Sequence, residues 1–179
     1  MNLSDEPYLI NNKTFTDERG SFDKIFHSNE VSFEVNQINI SKTKKIGTVR
    51  GIHGSKTCSE QKIVTCLTGN ILDVCVDLRL NSDSFGKVYS VKLFNPSVSY
   101  YIPKGFGHGF QCLTDDCTIH YSHNVRYDPN DQLNISPLSK NIRYIWELEI
   151  SEISNKDAHS ISIEDYFTAN KSDQIDKLC

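Results

Sequence analysis

Three short stretches combine residue types that move protons or bind anions with glycines that let a backbone approach a ligand. The first is Thr48-Val-Arg50-Gly51-Ile-His53-Gly54. An imidazole titrates near neutral pH and can act as general base or acid, while a guanidinium grips phosphate oxygens. In a regular strand Arg50 and Ile52 share one face, and Gly51 and His53 the other. A bend or bulge at Gly51 would bring Arg50 and His53 into one cleft. Taken alone, the segment reads more simply as a surface arginine beside a hydrogen-bonded core histidine.

The second stretch is Tyr101-Ile-Pro103-Lys-Gly105-Phe-Gly107-His108-Gly109-Phe110. Pro103 and Gly105 mark a turn, and Gly107 and Gly109 leave space in front of the His108 ring. A tight corner between strands explains the glycines but not the histidine. The third, Asn155-Lys156-Asp157, sets a cation beside an anion and by itself reads as a solvated helix start. A metal centre has little support. No second histidine follows in His53-Gly54-Ser55, and His120 and His123, three apart in a strand, point to opposite faces. No metal and no other cofactor is expected.

The elements that must position these residues are short strands. Phe33 to Ile40 alternates apolar with polar residues, the period of a half-buried strand. Lys62–Leu67, the turn Thr68-Gly69-Asn70 and Ile71–Leu78 read as a β-hairpin. Further strands are expected at Val88–Phe94, Ser97–Ile102, Phe106–Cys112 and Thr118–Val125. Such closely spaced strands predict a sandwich or barrel. Helix signals are confined to the C-terminal third, at Ser154–Asp157 and Ile163–Phe167, before a polar tail at about 168–179. The class is all-β with a small helical appendix.

The chain has 179 residues and no linker or repeat, so one domain over 1–179 is expected. A net charge of -4 argues against wrapping nucleic acid but leaves room for a local basic pocket. No signal peptide and no membrane span is visible, so the cytoplasm is the expected compartment. The six cysteines then read as reduced thiols, with Cys66 and Cys75 packed as small hydrophobes, Cys112 and Cys117 a C-x4-C pair, and Cys58 and Cys179 isolated.

Together the motifs resemble the dTDP-4-dehydrorhamnose 3,5-epimerase family, from about Phe15 to about Tyr166. Asp17-Glu-Arg19-Gly20-Ser-Phe22 is similar to the family's D-x-R-G-x-F, and Gln37-Ile-Asn39-Ile-Ser41 to its Q-x-N-x-S. Val49–His53 resembles L-R-G-L-H, and Lys62-Ile-Val64 resembles K-L-V. Gly69 to Arg79 followed by Ser84-Phe85-Gly86 looks like G-x-x-x-D-V-x-V-D-x-R…T-F-G, and Ile102–Phe110 like I-P-x-G-F-A-H-G-F.

The resemblance implies a cupin-type jelly-roll β-sandwich with a few short C-terminal helices. It also implies an isomerase that inverts C3, C5 or both in a nucleotide-linked 4-keto-6-deoxy sugar. It assigns His53 as general base, Asp157 as its carboxylate partner, Lys62 as the cation beside the developing enolate oxygen, and Tyr121 as the acid on the opposite face. His108 becomes a further polar contact in the pocket. Arg19, Arg50 and Lys156 match diphosphate contacts, Gln37 and Asn39 nucleotide-side contacts, and Phe22 and Tyr127 further substrate-binding positions. A homodimer is implied, with an N-terminal strand at about 1–30 crossing to the partner. The alternatives are a 3,4-ketoisomerase on the same scaffold, a single-centre (C3-only or C5-only) epimerase on a CDP- or GDP-linked 4-keto sugar, and a non-catalytic sugar-nucleotide binder. The chain departs from the pattern at Gly54-Ser55, where the family continues Tyr-Gln, and at Lys24, Lys104 and Glu147. The change beside His53 implies a differently shaped sugar.

Overall fold

The computed structural model describes residues 5–27, 31 and 33–171. In chain order its strands are β1 (Tyr8–Asn11), β2 (Lys13–Asp17), β3 (Gly20–Lys24), β4 (Gln37–Thr43), β5 (Val49–Ser55), β6 (Lys62–Thr68) and β7 (Ile71–Asp77). They continue with β8 (Val88–Leu93), β9 (Val98–Ile102), β10 (Phe106–Cys112), β11 (Cys117–His123) and β12 (Gln132–Asn134), followed by the helices α1 (Asn155–Ala158) and α2 (Ile163–Lys171). Two five-stranded antiparallel sheets result, ordered β1-β9-β6-β11-β4 and β12-β5-β10-β7-β8. This is the expected all-β jelly-roll sandwich. Among the described residues no helix is long and apolar enough to cross a membrane.

One expected pairing is wrong. β6 and β7 do not form a hairpin: β6 pairs with β9 and β11, whereas β7 pairs with β8 and β10 in the other sheet. The 68–70 turn carries the chain from one sheet to the other. Its backbone bonds reach the β10–β11 connection, with Leu113 N–H donating to Asn70 O at 2.8 Å and Asn70 N–H to Thr114 Oγ1 at 2.9 Å. Every residue of β7 is buried, so it needs cover on both faces, which a lone hairpin does not supply. The strand expected from Phe33 begins later, at Gln37, because Phe33 drops under the first sheet against Ile63 and Tyr101.

Three apolar layers hold the sandwich, one of them the Phe33, Ile63 and Tyr101 cluster under the first sheet. Between the sheets lie Val64, Ile102, Phe106, Phe110 and Ile119, with Cys66, Cys75, Cys112 and Cys117 as buried free thiols. Each fully buried large side chain of this kind contributes roughly 1.5–3 kcal/mol. The outer face of the second sheet, through Val49, Ile52, Leu72 and Val74, is covered by Ile142, Trp146, Ile163 and Tyr166 from the C-terminal segment. That cover brings α1 back against β5. Cys58, in the β5–β6 connection, is disulfide-bonded, which corrects the reading of all six cysteines as thiols. The expected tail reaches Lys171 within α2, and its remainder lies outside the described residues.

Candidate active site

A cavity of about 270 Å³ opens between the two sheets and takes side chains from both. Gln37 and Asn39 come from β4, Lys62 from β6, and Tyr121 and His123 from β11 of the first sheet. Arg50 and His53 come from β5 and His108 from β10 of the second. Glu60 and Tyr127 complete it from flanking loops.

Arg50 and His53 share this cavity because β5 departs from regular pleating at Gly51. That residue has φ +109°, and the register with β10 shifts between His108 and Phe110. A Cβ on Gly51 would lie 2.6 Å from both the Gly109 Cα and the His108 carbonyl oxygen. Gly51→Ala is therefore expected to lower stability by about 2–5 kcal/mol, through overlap and a backbone region closed to side chains. A denaturant midpoint close to the parent's would show that the approach is not tight. Of the glycines beside His108, Gly109 lines the cavity as the sequence suggests, but close packing of the strands also requires both. A Cβ on Gly107 would meet Ile52 Cγ2 at 2.6 Å, and one on Gly109 would meet the Arg50 carbonyl at the same distance. They let the two strands close on each other.

Behind His53 stands Asp157. His53 Nε2–H donates to Asp157 Oδ1 at 2.7 Å, and Gly51 N–H donates to Oδ2 at 3.3 Å. The carboxylate sits in α1, whose start is the expected cap: Asp157 N–H donates to Ser154 Oγ at 3.0 Å. Burial opposes its charge, yet the hydrogen bonds and attraction from His53, with those of Gly51 and Ser154, hold its pKa below the usual carboxylate range. An ionised Asp157 fixes the tautomer with the proton on Nε2, leaving the Nδ1 lone pair as the basic one.

A buried histidine and a half-buried tyrosine also shape the cavity. His108 Nε2–H donates to Asp73 Oδ2 at 2.9 Å, and burial pushes the Asp73 carboxyl up while His108 pulls it back. Tyr121 lies across from His108, with ring centroids 5.9 Å apart. Burial drives its phenol pKa well above the ordinary value, so the hydroxyl keeps its proton and can act as a donor.

Of the residues singled out in the sequence, His53, Lys62, Tyr121, Gln37, Asn39, Arg50, His108 and Tyr127 line the cavity, and Asp157 reaches it through His53. Arg19 and Phe22 do not. They lie on the exposed β2–β3 hairpin, in a separate hollow. Lys156 is exposed on α1 and lines none of the hollows described. Gly54 and Ser55 also stay out of the cavity: Gly54 packs near Gly107 and Leu78, and Ser55 Oγ donates to Asp131 Oδ2 at 2.6 Å. Their departure from the family pattern ties down a loop.

Glu60 and His123 in the cavity, and Asp73 buried behind His108, were given no role in the sequence reading. Glu60 ion-pairs with Lys62 at 3.1 Å and with His123 at 2.8 Å. His123 could have been found from the period of two, since it shares a face with Tyr121. Asp73 could have been found as a charge inside an otherwise apolar run.

The family model described as dTDP-4-dehydrorhamnose 3,5-epimerase matches residues 3–165. A dTDP-4-dehydrorhamnose 3,5-epimerase of Methanothermobacter thermautotrophicus is 35% identical over 162 residues, covering 86% of this chain and 87% of that one. A crystal structure of dTDP-6-deoxy-D-glucose-3,5-epimerase from Legionella pneumophila, in complex with dTDP-4-keto-L-rhamnose, superposes with a TM-score of 0.83. It is 31% identical and covers 90% of this chain and 89% of that one. A 3'-monoepimerase from Streptomyces bikiniensis, in complex with dTDP-quinovose, gives 0.83 at 26% identity, covering 93% and 86%.

Proposed function

This chain belongs to the dTDP-4-dehydrorhamnose 3,5-epimerase family, and from that premise we propose how its cavity inverts a sugar carbon. The protein is a sugar-nucleotide epimerase acting beside the 4-keto group of a nucleotide-linked 6-deoxy sugar. The observation that carries the mechanism is the His53–Asp157 pair in one wall of the cavity with the Tyr121 phenol in the wall from the facing sheet.

A C–H bond beside a ketone breaks when its electron pair can move onto the carbonyl oxygen. His53 Nδ1 takes the proton and the electrons become an enolate. Asp157 stabilises the imidazolium, and Lys62 sets a fixed ammonium beside the new oxygen charge. The Tyr121 O–H then delivers a proton to the other face of the same carbon, and the C–H bond reforms inverted. Proton exchange with solvent returns His53 and Tyr121 to their starting states. Arg50 supplies a cation for the diphosphate, and Gln37, Asn39 and Tyr127 the nucleotide end. His108, held by Asp73, adds a polar contact to the sugar. In this reading the enzyme works in the cytoplasm.

A second copy of the chain completes the site. Among the described residues the β2–β3 hairpin pairs with no third strand, and Phe15 and Phe22 are 54% and 64% exposed on it. A lone two-stranded ribbon is marginal in water. Edge strand β4 also shows Ile38 and Ile40 to solvent. The hairpin therefore docks on a partner and brings Arg19 and Phe22 to that partner's cavity. Phe22→Ser is expected to raise the KM for sugar nucleotide about tenfold or more and to weaken the dimer, as loss of a buried aromatic anchor does. Sedimentation of the parent as a monomer at micromolar concentration would contradict this.

The direct test is solvent exchange into 4-keto sugars carried on dTDP, CDP and GDP. Deuterium entering C3 or C5 supports the proposal, and its absence at both carbons across the panel sinks it. Exchange at C3 alone would place the chain with single-centre enzymes such as the Streptomyces bikiniensis relative.

A further inference from the structure

The cavity wall carries an unbroken run of hydrogen bonds that ends at the backbone of His53. Tyr127 N–H donates to Gln37 Oε1 at 2.8 Å, which turns the Gln37 amide nitrogen toward Asn39 Oδ1 at 3.2 Å. Asn39 Nδ2 is then the donor to His123 Nε2 at 3.2 Å, so the His123 proton sits on Nδ1 and goes to Glu60 Oε1 at 2.8 Å. Glu60 Oε2 receives the Lys62 ammonium at 3.1 Å, and Lys62 Nζ donates to the His53 carbonyl at 3.2 Å. Every step has one consistent donor direction.

Glu60 is the only anion on this run. Burial opposes its charge, but attraction to Lys62 and the bond from His123 outweigh it and hold the carboxyl down to about 2. An ammonium has three N–H groups. Two are taken here, by Glu60 and the His53 carbonyl, and among the described residues the third has no protein acceptor. Lys62 is buried, so without Glu60 its charge would rest against one carbonyl and be costly to keep.

We infer that Glu60 is a positioning residue for Lys62, held in place by His123, so that the remaining N–H of the ammonium is directed at the ketone oxygen of the sugar. This rests on the role given to Lys62 in the proposed reaction. Neither Glu60 nor His123 touches the reacting carbon. The run also links the nucleotide end of the cavity, at Gln37 and Asn39, to the group beside the enolate.

The test is the kinetics of Glu60→Gln, which keeps the shape of the side chain and removes its charge. Its kcat is expected to fall about 10- to 100-fold with KM nearly unchanged, the size of one charge-assisted hydrogen bond. The charged or titratable groups facing Glu60 are Lys62, His123 and Asp131. Glu60→Asp should recover part of the loss. His123→Phe should cost less, and Glu60→Gln with His123→Phe should be no worse than Glu60→Gln alone. A parental kcat in Glu60→Gln, or a loss that appears in KM instead of kcat, overturns the inference, as do losses that multiply in the double variant. If Glu60→Gln does not melt cooperatively, Glu60→Asp and His123→Phe decide by the same two readouts. An inactive parent would instead sink the epimerase reading itself.

Discussion

His53→Asn is expected to lower both solvent exchange and epimerisation by about 10²- to 10⁴-fold, the range assigned to a positioned general base. The shorter asparagine loses the ring nitrogen that meets Asp157 Oδ1 at 2.7 Å, but Gly51 N–H still donates to that carboxylate and the Ser154 cap still holds α1 against β5. Also lost is the basic Nδ1. Arg50, Gln37 and Asn39 stay in place, so affinity for the sugar nucleotide should change little. A fall in kcat with a steady KM marks an interaction made in the transition state. Exchange surviving at more than about a tenth of the parent rate would remove His53 as the base, because general-base catalysis is worth at least about a hundredfold.

Tyr121→Phe separates the two halves of the reaction. The phenol is one hydroxyl away from phenylalanine, and Tyr121 packs at 5.9 Å from His108 and stacks at 6.0 Å on His123 through its ring, which the variant retains. His53 can still remove the proton and return one from solvent to the same face. Deuterium should thus enter the starting epimer, while inverted product falls by about 10²- to 10⁴-fold. That split is the signature of a two-sided site, since His53 and Tyr121 stand on strands of different sheets. Equal loss of exchange and inversion would place Tyr121 in the first step, and unchanged inversion would remove it from the chemistry.

The strands were legible wherever a period of two or a closed apolar run marked them, as at β10, read from the sequence with its observed bounds. Which sheet each strand joins was not. β6 and β7 are neighbours in sequence and look like a hairpin, but their partners are distant strands, and a local pattern holds no record of long-range pairing. The bend at Gly51 was legible because a glycine between two chemically useful side chains needs a reason. The glycines beside His108 read as space for a ligand, and only the packed structure shows Ile52 against both of them. Glu60 sits in a loop without periodicity, and nothing in the chain marks it as the partner of a histidine 63 residues on. Arg19 and Phe22 carry a motif but face away from the described cavity, and one chain by itself gives them no site to serve.

The most direct test is a single turnover of the parent enzyme in deuterated water with a dTDP-linked 4-keto-6-deoxy sugar, followed by NMR of the product. Proton removal by His53 and delivery by Tyr121 require one deuterium at each inverted carbon, with the carbonyl still at C4. Inverted product that keeps its original hydrogen, or a carbonyl moved to C3, would contradict this mechanism.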